Sequence, residues 1–203
     1  MKNTKRFITV LLIAAAAVLT LAGCSQKNKS QEEAREATQG EAREAAQEEA
    51  REVANGILTA FQEQDADALD RYFPDAGIGN LVYSDKPGFK MYTEKMSWKI
   101  EKTEEGKSGY QVVISVENVD MIEILRKNPP VEGAQLPDPL PEQIAQTGTK
   151  TFEYTMPLKK GENGYLFDMG EEDEQASLEN LGGLLNVITG GGYDYLAAQA
   201  ETD

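Results

Sequence analysis

The spacing of apolar positions changes character several times along these 203 residues. It is continuous from Phe7 to Ala22, unpatterned from Ser25 to about Val53, and then helical. Val53, Ile57, Ala60 and Phe61 fall at i, i+4, i+7 and i+8, which is one helix face. Gly56 interrupts that pattern and costs a helix interior about 1 kcal/mol, so Asn55-Gly56 is a candidate break. Asp65 is placed to cap a second short helix, Ala66 to Phe73, with Leu69, Tyr72 and Phe73 inward and Pro74 as its stop.

Beyond a loop-rich stretch at 75–94, the period changes to two. Met96, Trp98 and Ile100 alternate with polar residues, and Tyr110, Val112, Ile114 and Val116 do so after the turn Glu104 to Gly109. Asp120 can cap a short helix from Met121 to Lys127. Phe152, Tyr154, Met156 and Leu158 alternate again, Gly161-Glu162-Asn163-Gly164 is a hairpin turn, and Tyr165, Phe167 and Met169 return. Leu178, Leu181, Leu184, Leu185 and Ile188 mark a C-terminal helix that ends at Gly190-Gly191-Gly192, with a last helical segment from Tyr193 to Ala200. Two helices followed by two hairpins make an α+β domain, its helices packed on one face of a curved antiparallel sheet. Residues 128–141 hold five of the eight prolines and form an excursion that is neither regular helix nor central strand. Glu142 to Gln146 adds one helical turn.

The stretch from Ser25 to Val53 contains a tandem repeat of period eight. Glu33-Ala34-Arg35-Glu36-Ala37 recurs from Glu41 and, with Val53 in place of the last alanine, from Glu49. Eight residues advance a helical face by about 80°, so the alanines form no fixed stripe. A solvated, partly helical spacer is expected. The organisation is therefore a leader at 1–23, a Glu/Ala/Arg-rich tether at 24–53 and a folded domain at 54–203.

Charge and missing residue types narrow the chemistry. The whole chain has net charge −15; without the leader's Lys2, Lys5 and Arg6 it has 17 basic and 35 acidic residues, or −18. Such a surface is a poor partner for nucleic acid. There is no histidine and one cysteine, which removes Ser-His-Asp and Cys-His catalysis, histidine-based zinc sites and any disulfide framework. No glycine-rich phosphate loop is present. No catalytic motif, no metal site and no cofactor is expected. The carboxylates from Glu171 to Glu174 lack the alternation of a calcium loop and read as a solvated charge run.

Three basic residues, an apolar run and Leu21-Ala22-Gly23-Cys24 make a secretory leader. This segment resembles a bacterial lipoprotein signal with its lipobox. The resemblance implies a diacylglyceryl group on Cys24, cleavage before it, and a protein held on the extracytoplasmic face of the cell membrane. Two acyl chains hold where one does not. A second resemblance begins at Phe61-x3-Asp65-x3-Leu69-x2-Tyr72-Phe73 and continues at Asn118-Val119-Asp120-Met121. These stretches resemble the NTF2-like (cystatin-like, SnoaL-like) domains of uncharacterised bacterial lipoproteins. The resemblance implies a cone-shaped sheet whose concave face forms an apolar pocket, and sheets that pair into homodimers.

Trp98, Tyr110, Phe152, Tyr154, Tyr165 and Phe167 are the candidates to line such a pocket; plain core is their other reading. Three functions compete. One is a non-catalytic module that binds a small apolar ligand or a protein. Another is a structural protein engaging the envelope. The third is an enzyme resembling ketosteroid isomerase, with Asp168 beside Tyr154 or Tyr110. Alternation puts Asp168 on the face opposite the aromatics, which counts against the enzyme.

Overall fold

The structure, a computed structural model, describes residues 27–74, 76–79, 93–129, 141–170 and 173–200. The apolar leader, Cys24, positions 130–140 of the proline-rich excursion, and Glu171 and Glu172 lie outside the described residues. The chain divides into two units, Met1–Gly40 and Glu41–Asp203. Of the first, the described part is helix. Among the described residues no helix is long and apolar enough to cross a membrane.

The elements follow in the order α1 (Lys27–Glu63), α2 (Ala66–Tyr72), β1 (Ser97–Glu105), β2 (Gly109–Val119), α3 (Met121–Lys127), α4 (Pro141–Gln146), β3 (Thr149–Gly161), β4 (Gly164–Phe167), α5 (Glu174–Ile188) and α6 (Gly192–Ala200). The class is α+β, as expected. The four strands form one antiparallel sheet in the order β1-β2-β3-β4, an open meander. Local signals explain the helix starts. The side chains of Asp65 and Asp120 accept from the backbone N–H groups of Ala68 and Glu123. Asp173 does the same for Gln175 and Ala176, so one member of the acidic run is the cap of α5.

Three expectations change. The folded unit begins at Glu41 rather than at residue 54. Ala46, Ala50, Val53, Ala54, Ile57, Leu58 and Phe61 form one stripe on α1, and Ala50 is fully buried. The last repeat thus contributes to the core, because Ala46, Ala50 and Ala54 extend the i, i+4 series back from Leu58. Asn55-Gly56 is no break either, since α1 runs through it. A Cβ at Gly56 would lie 2.1 Å from the Tyr72 hydroxyl, so this glycine serves the close approach of α2. Finally, β4 has four residues, not a long return strand, and Met169 lies beyond it. Gly170 at φ +69° turns the chain away, and Asn180 on α5 donates to the Asp168 carbonyl at 2.9 Å.

The register assigns the faces. Trp98 pairs with Val116, and Val116 with Phe152; Ile114 pairs with Tyr154, Val112 with Met156, and Leu158 with Phe167. All of these point to one side, where α1, α2 and α5 bury them. The opposite side carries Lys99, Gln111, Glu117, Thr151, Glu153 and Thr155, all exposed. A smaller core of Val119, Met121, Ile124 and Ile144 forms below α3 and α4.

Candidate functional site

The six aromatic candidates all lie on the helix-covered face of the sheet. Their surroundings are protein. Tyr110, Tyr165 and Phe167 are buried in the main core, while Trp98, Phe152 and Tyr154 are partly buried against it. Phe167 is fully buried, its ring centre 4.8 Å from that of Phe73, and Phe73 in turn meets Phe61 edge-on at 6.1 Å. Tyr110 and Tyr165 meet edge-on at 5.4 Å. The Tyr165 hydroxyl is pushed above its ordinary range by lost hydration, then by Tyr110, Glu49 and Glu105.

The polar ends of these rings are also engaged. The Trp98 indole N–H donates to Asn55 Oδ1 on α1 at 2.8 Å. The Tyr154 hydroxyl donates to the Asn180 carbonyl on α5 at 2.6 Å. Burial pushes the Tyr154 hydroxyl far above its ordinary value of 10, so it stays protonated at neutral pH and acts as a donor. A Cβ at Gly183 would stand 2.6 Å from the Tyr154 ring, which shows how closely α5 lies on β3. Phe152 lies beneath Gly191, with the Lys150 ammonium 5.4 Å from its ring centre. Among the described residues, side chains of α1, α2 and α5 pack against these aromatics where a concave pocket was expected.

Asp168 does not join Tyr110 or Tyr154. Its carboxylate accepts from Ser108 Oγ at 2.5 Å and from the Gly170 N–H at 3.1 Å. It therefore ties the β1–β2 turn to the start of the α5 connection. No carboxylate is buried among the described residues; the buried polar side chains are Thr93 and Asn118. A general-base carboxyl depends on burial to raise its pKa. No group of three or more acidic or cysteine side chains among the described residues is arranged to hold a metal ion.

One surface depression lies between α1 and β1. It encloses about 310 Å³, opens widely to solvent and is lined by Glu48, Arg51, Glu52, Asn55 and Ile100. Arg51 Nε donates across it to Thr103 Oγ1 at 3.2 Å. Together with Asn55 to Trp98, and Gln62 Nε2 to the Met96 carbonyl at 2.6 Å, this makes a polar seam that holds α1 against β1.

Sequence reasoning missed three asparagines that organise this region: Asn55, Asn118 and Asn180. Asn118 was the most legible of them. It continues the buried series Tyr110, Val112, Ile114, Val116, where a polar side chain demands a partner. Its Nδ2 donates to the Ile188 carbonyl at 2.7 Å, and its Oδ1 accepts from the Val119 N–H at 2.8 Å. Asn118→Ala is expected to destabilise the fold by about 2 kcal/mol, because it leaves buried polar groups unpaired. Equilibrium unfolding checks this, and a change within about 0.5 kcal/mol would remove Asn118 from that role.

The fold and these contacts define the class: an α+β unit with a four-stranded antiparallel meander and helices on one face. No family model matches the chain, and neither a curated protein nor a solved structure does.

Proposed function

We propose that this chain is a lipid-anchored extracytoplasmic lipoprotein whose folded unit is a non-catalytic protein-interaction module. The anchor reading rests on Leu21-Ala22-Gly23-Cys24 at the end of the apolar run. The interaction reading rests on one observation. The aromatic face of the sheet is occupied by α1, α2 and α5, which leaves the outer polar face and the strand edges for recognition. A small apolar ligand would have to displace buried side chains such as Phe167 and Leu184, at about 1.5–3 kcal/mol for each one exposed. The NTF2-like cone and the ketosteroid-isomerase-like reading both need an open concave face, so the filled one favours interaction over either.

The anchor is tested in the full-length protein by Cys24→Ser. The variant is expected to leave the membrane fraction or to persist as an uncleaved precursor. A processed variant that still sediments with membranes would overturn the reading. Native mass spectrometry of the wild-type protein tests the interaction module. A stoichiometric lipid on the folded unit would shift the assignment to ligand binding.

A further inference from the structure

The outer edge of β3 is unequally covered. β3 has 13 residues, but β4 pairs only with Leu158 to Gly161. The Asp168 N–H adds a bond to the Pro157 carbonyl at 2.9 Å, and no described strand lies beside Thr149 to Met156 on that side. Three hydrogen bonds fix which residues point outward. Gly148 and Lys160 bond toward β2, through Asp120 and Ser108, whereas Pro157 bonds toward β4. In an antiparallel ladder this direction alternates. Even-numbered residues of β3 therefore bond β2, and Thr149, Thr151, Glu153 and Thr155 direct their N–H and C=O groups outward. Their side chains are exposed as well.

Natural sheets usually guard such an edge. β1, the opposite edge, does so twice over. It carries a bulge between Ile100 and Lys102, and it has the charged pairs Lys99–Glu101 and Lys102–Glu104. β3 has neither device. It pairs with β2 through eleven consecutive residues, from Thr149 to Lys159, with no register shift.

We infer that the Thr149–Thr155 edge of β3 pairs with the same edge of a second copy of this chain, antiparallel and centred on Phe152. This register is self-complementary. A two-fold axis through Phe152 sets each Thr151 opposite Glu153 of the other copy, hydroxyl to carboxylate, and each Thr149 opposite Thr155. Lys150 comes opposite Tyr154. The two Phe152 rings meet at a non-hydrogen-bonded position, where strands approach most closely and aromatic pairs contribute most. The four outward-facing residues of each copy exchange about eight main-chain hydrogen bonds. Centring one residue later would set Glu153 against Glu153, a like-charge pair that sheets avoid. The axis keeps both helical layers on one side of a continuous eight-stranded sheet. In each copy α5 packs over β3 and carries Leu178, 64% exposed and the most exposed large apolar side chain among the described residues. The pairing does not depend on the lipid anchor.

Sedimentation equilibrium of the full chain in detergent, with Cys24→Ser to prevent lipidation, is expected to give the mass of two chains. Glu153→Pro removes an outward N–H that the β2–β3 ladder does not use, so the melting temperature should hold while dimer affinity falls about tenfold or more. Phe152→Glu, which opposes two carboxylates across the axis, should also lower dimer affinity, with some loss of melting temperature because Phe152 packs against the core beneath Gly191. Under mild oxidation in the same background, Phe152→Cys should cross-link more than Glu153→Cys, because it lies on the axis and within disulfide reach. A monomeric parent protein, a dimer indifferent to both Glu153→Pro and Phe152→Glu, or stronger cross-linking at Glu153→Cys would overturn the inference.

Discussion

Gly190→Ala is expected to lower stability by about 3–5 kcal/mol, among the largest effects of any single methyl group in this chain. Two independent costs meet there. Gly190 has φ +59°, in the left-handed region that side chains disfavour by about 1–2 kcal/mol. A Cβ would also stand 1.9 Å from the Val119 carbonyl oxygen, which is backbone and cannot swing aside. The strain would spread, because Gly190 connects α5 to the end of β2. Its carbonyl accepts from the Met121 N–H at 3.0 Å, and its N–H donates to Val187 at 3.3 Å. Two residues earlier, the Ile188 carbonyl takes the Asn118 amide. Equilibrium urea unfolding followed by Trp98, the single and half-buried tryptophan, measures this. A loss below about 1 kcal/mol would mean that the α5 junction is not built this way.

Phe167→Ala is expected to cost about 3–5 kcal/mol. Phe167 closes β4 opposite Leu158, has no exposed surface, and stacks on Phe73 at the C-terminus of α2. Removing it would leave a cavity between α2 and the sheet. The experiment also decides between core and pocket for this residue. A ring lining an open cavity already faces water or ligand, so its truncation would cost less than about 1.5 kcal/mol and would change ligand affinity instead. Unfolding free energies of wild type and variant, compared at one temperature, separate the two outcomes.

Much of the fold was legible because its signals are local. The Asp65 and Asp120 caps act within three residues, and the alternation from Tyr110 to Val116 needs only the pleat to assign its face. The turn at Gly161–Gly164 and the C-terminal helix ending before the glycine run were legible for the same reason. The start of the folded unit was less so. Glu/Ala/Arg repeats read alike whether solvated or docked, and Ala50 differs from Ala42 only in what lies beneath it. The shortness of β4 was hidden too, since Tyr165, Phe167 and Met169 keep the alternation while Gly170 and Asn180 end the strand.

The candidate site shows the same division. The six aromatics were found as one set, because period two places them on one face. Whether that face opened on a cavity could not be read from it. The sequence by itself determined the order of elements, the two-sided character of each strand, the absence of histidine chemistry and the expectation of a lipidated cysteine. Only the tertiary structure decided that α1, α2 and α5 pack on the aromatic face, that Gly56 and Gly183 are places where neighbours touch, and that among the described residues no strand pairs with the outer edge of β3 from Thr149 to Met156. The reason is physical. Helix caps and pleat alternation are set by covalent geometry over a few residues. What covers a face or an edge depends on segments up to about a hundred residues apart, and their packing leaves no fixed spacing in the chain.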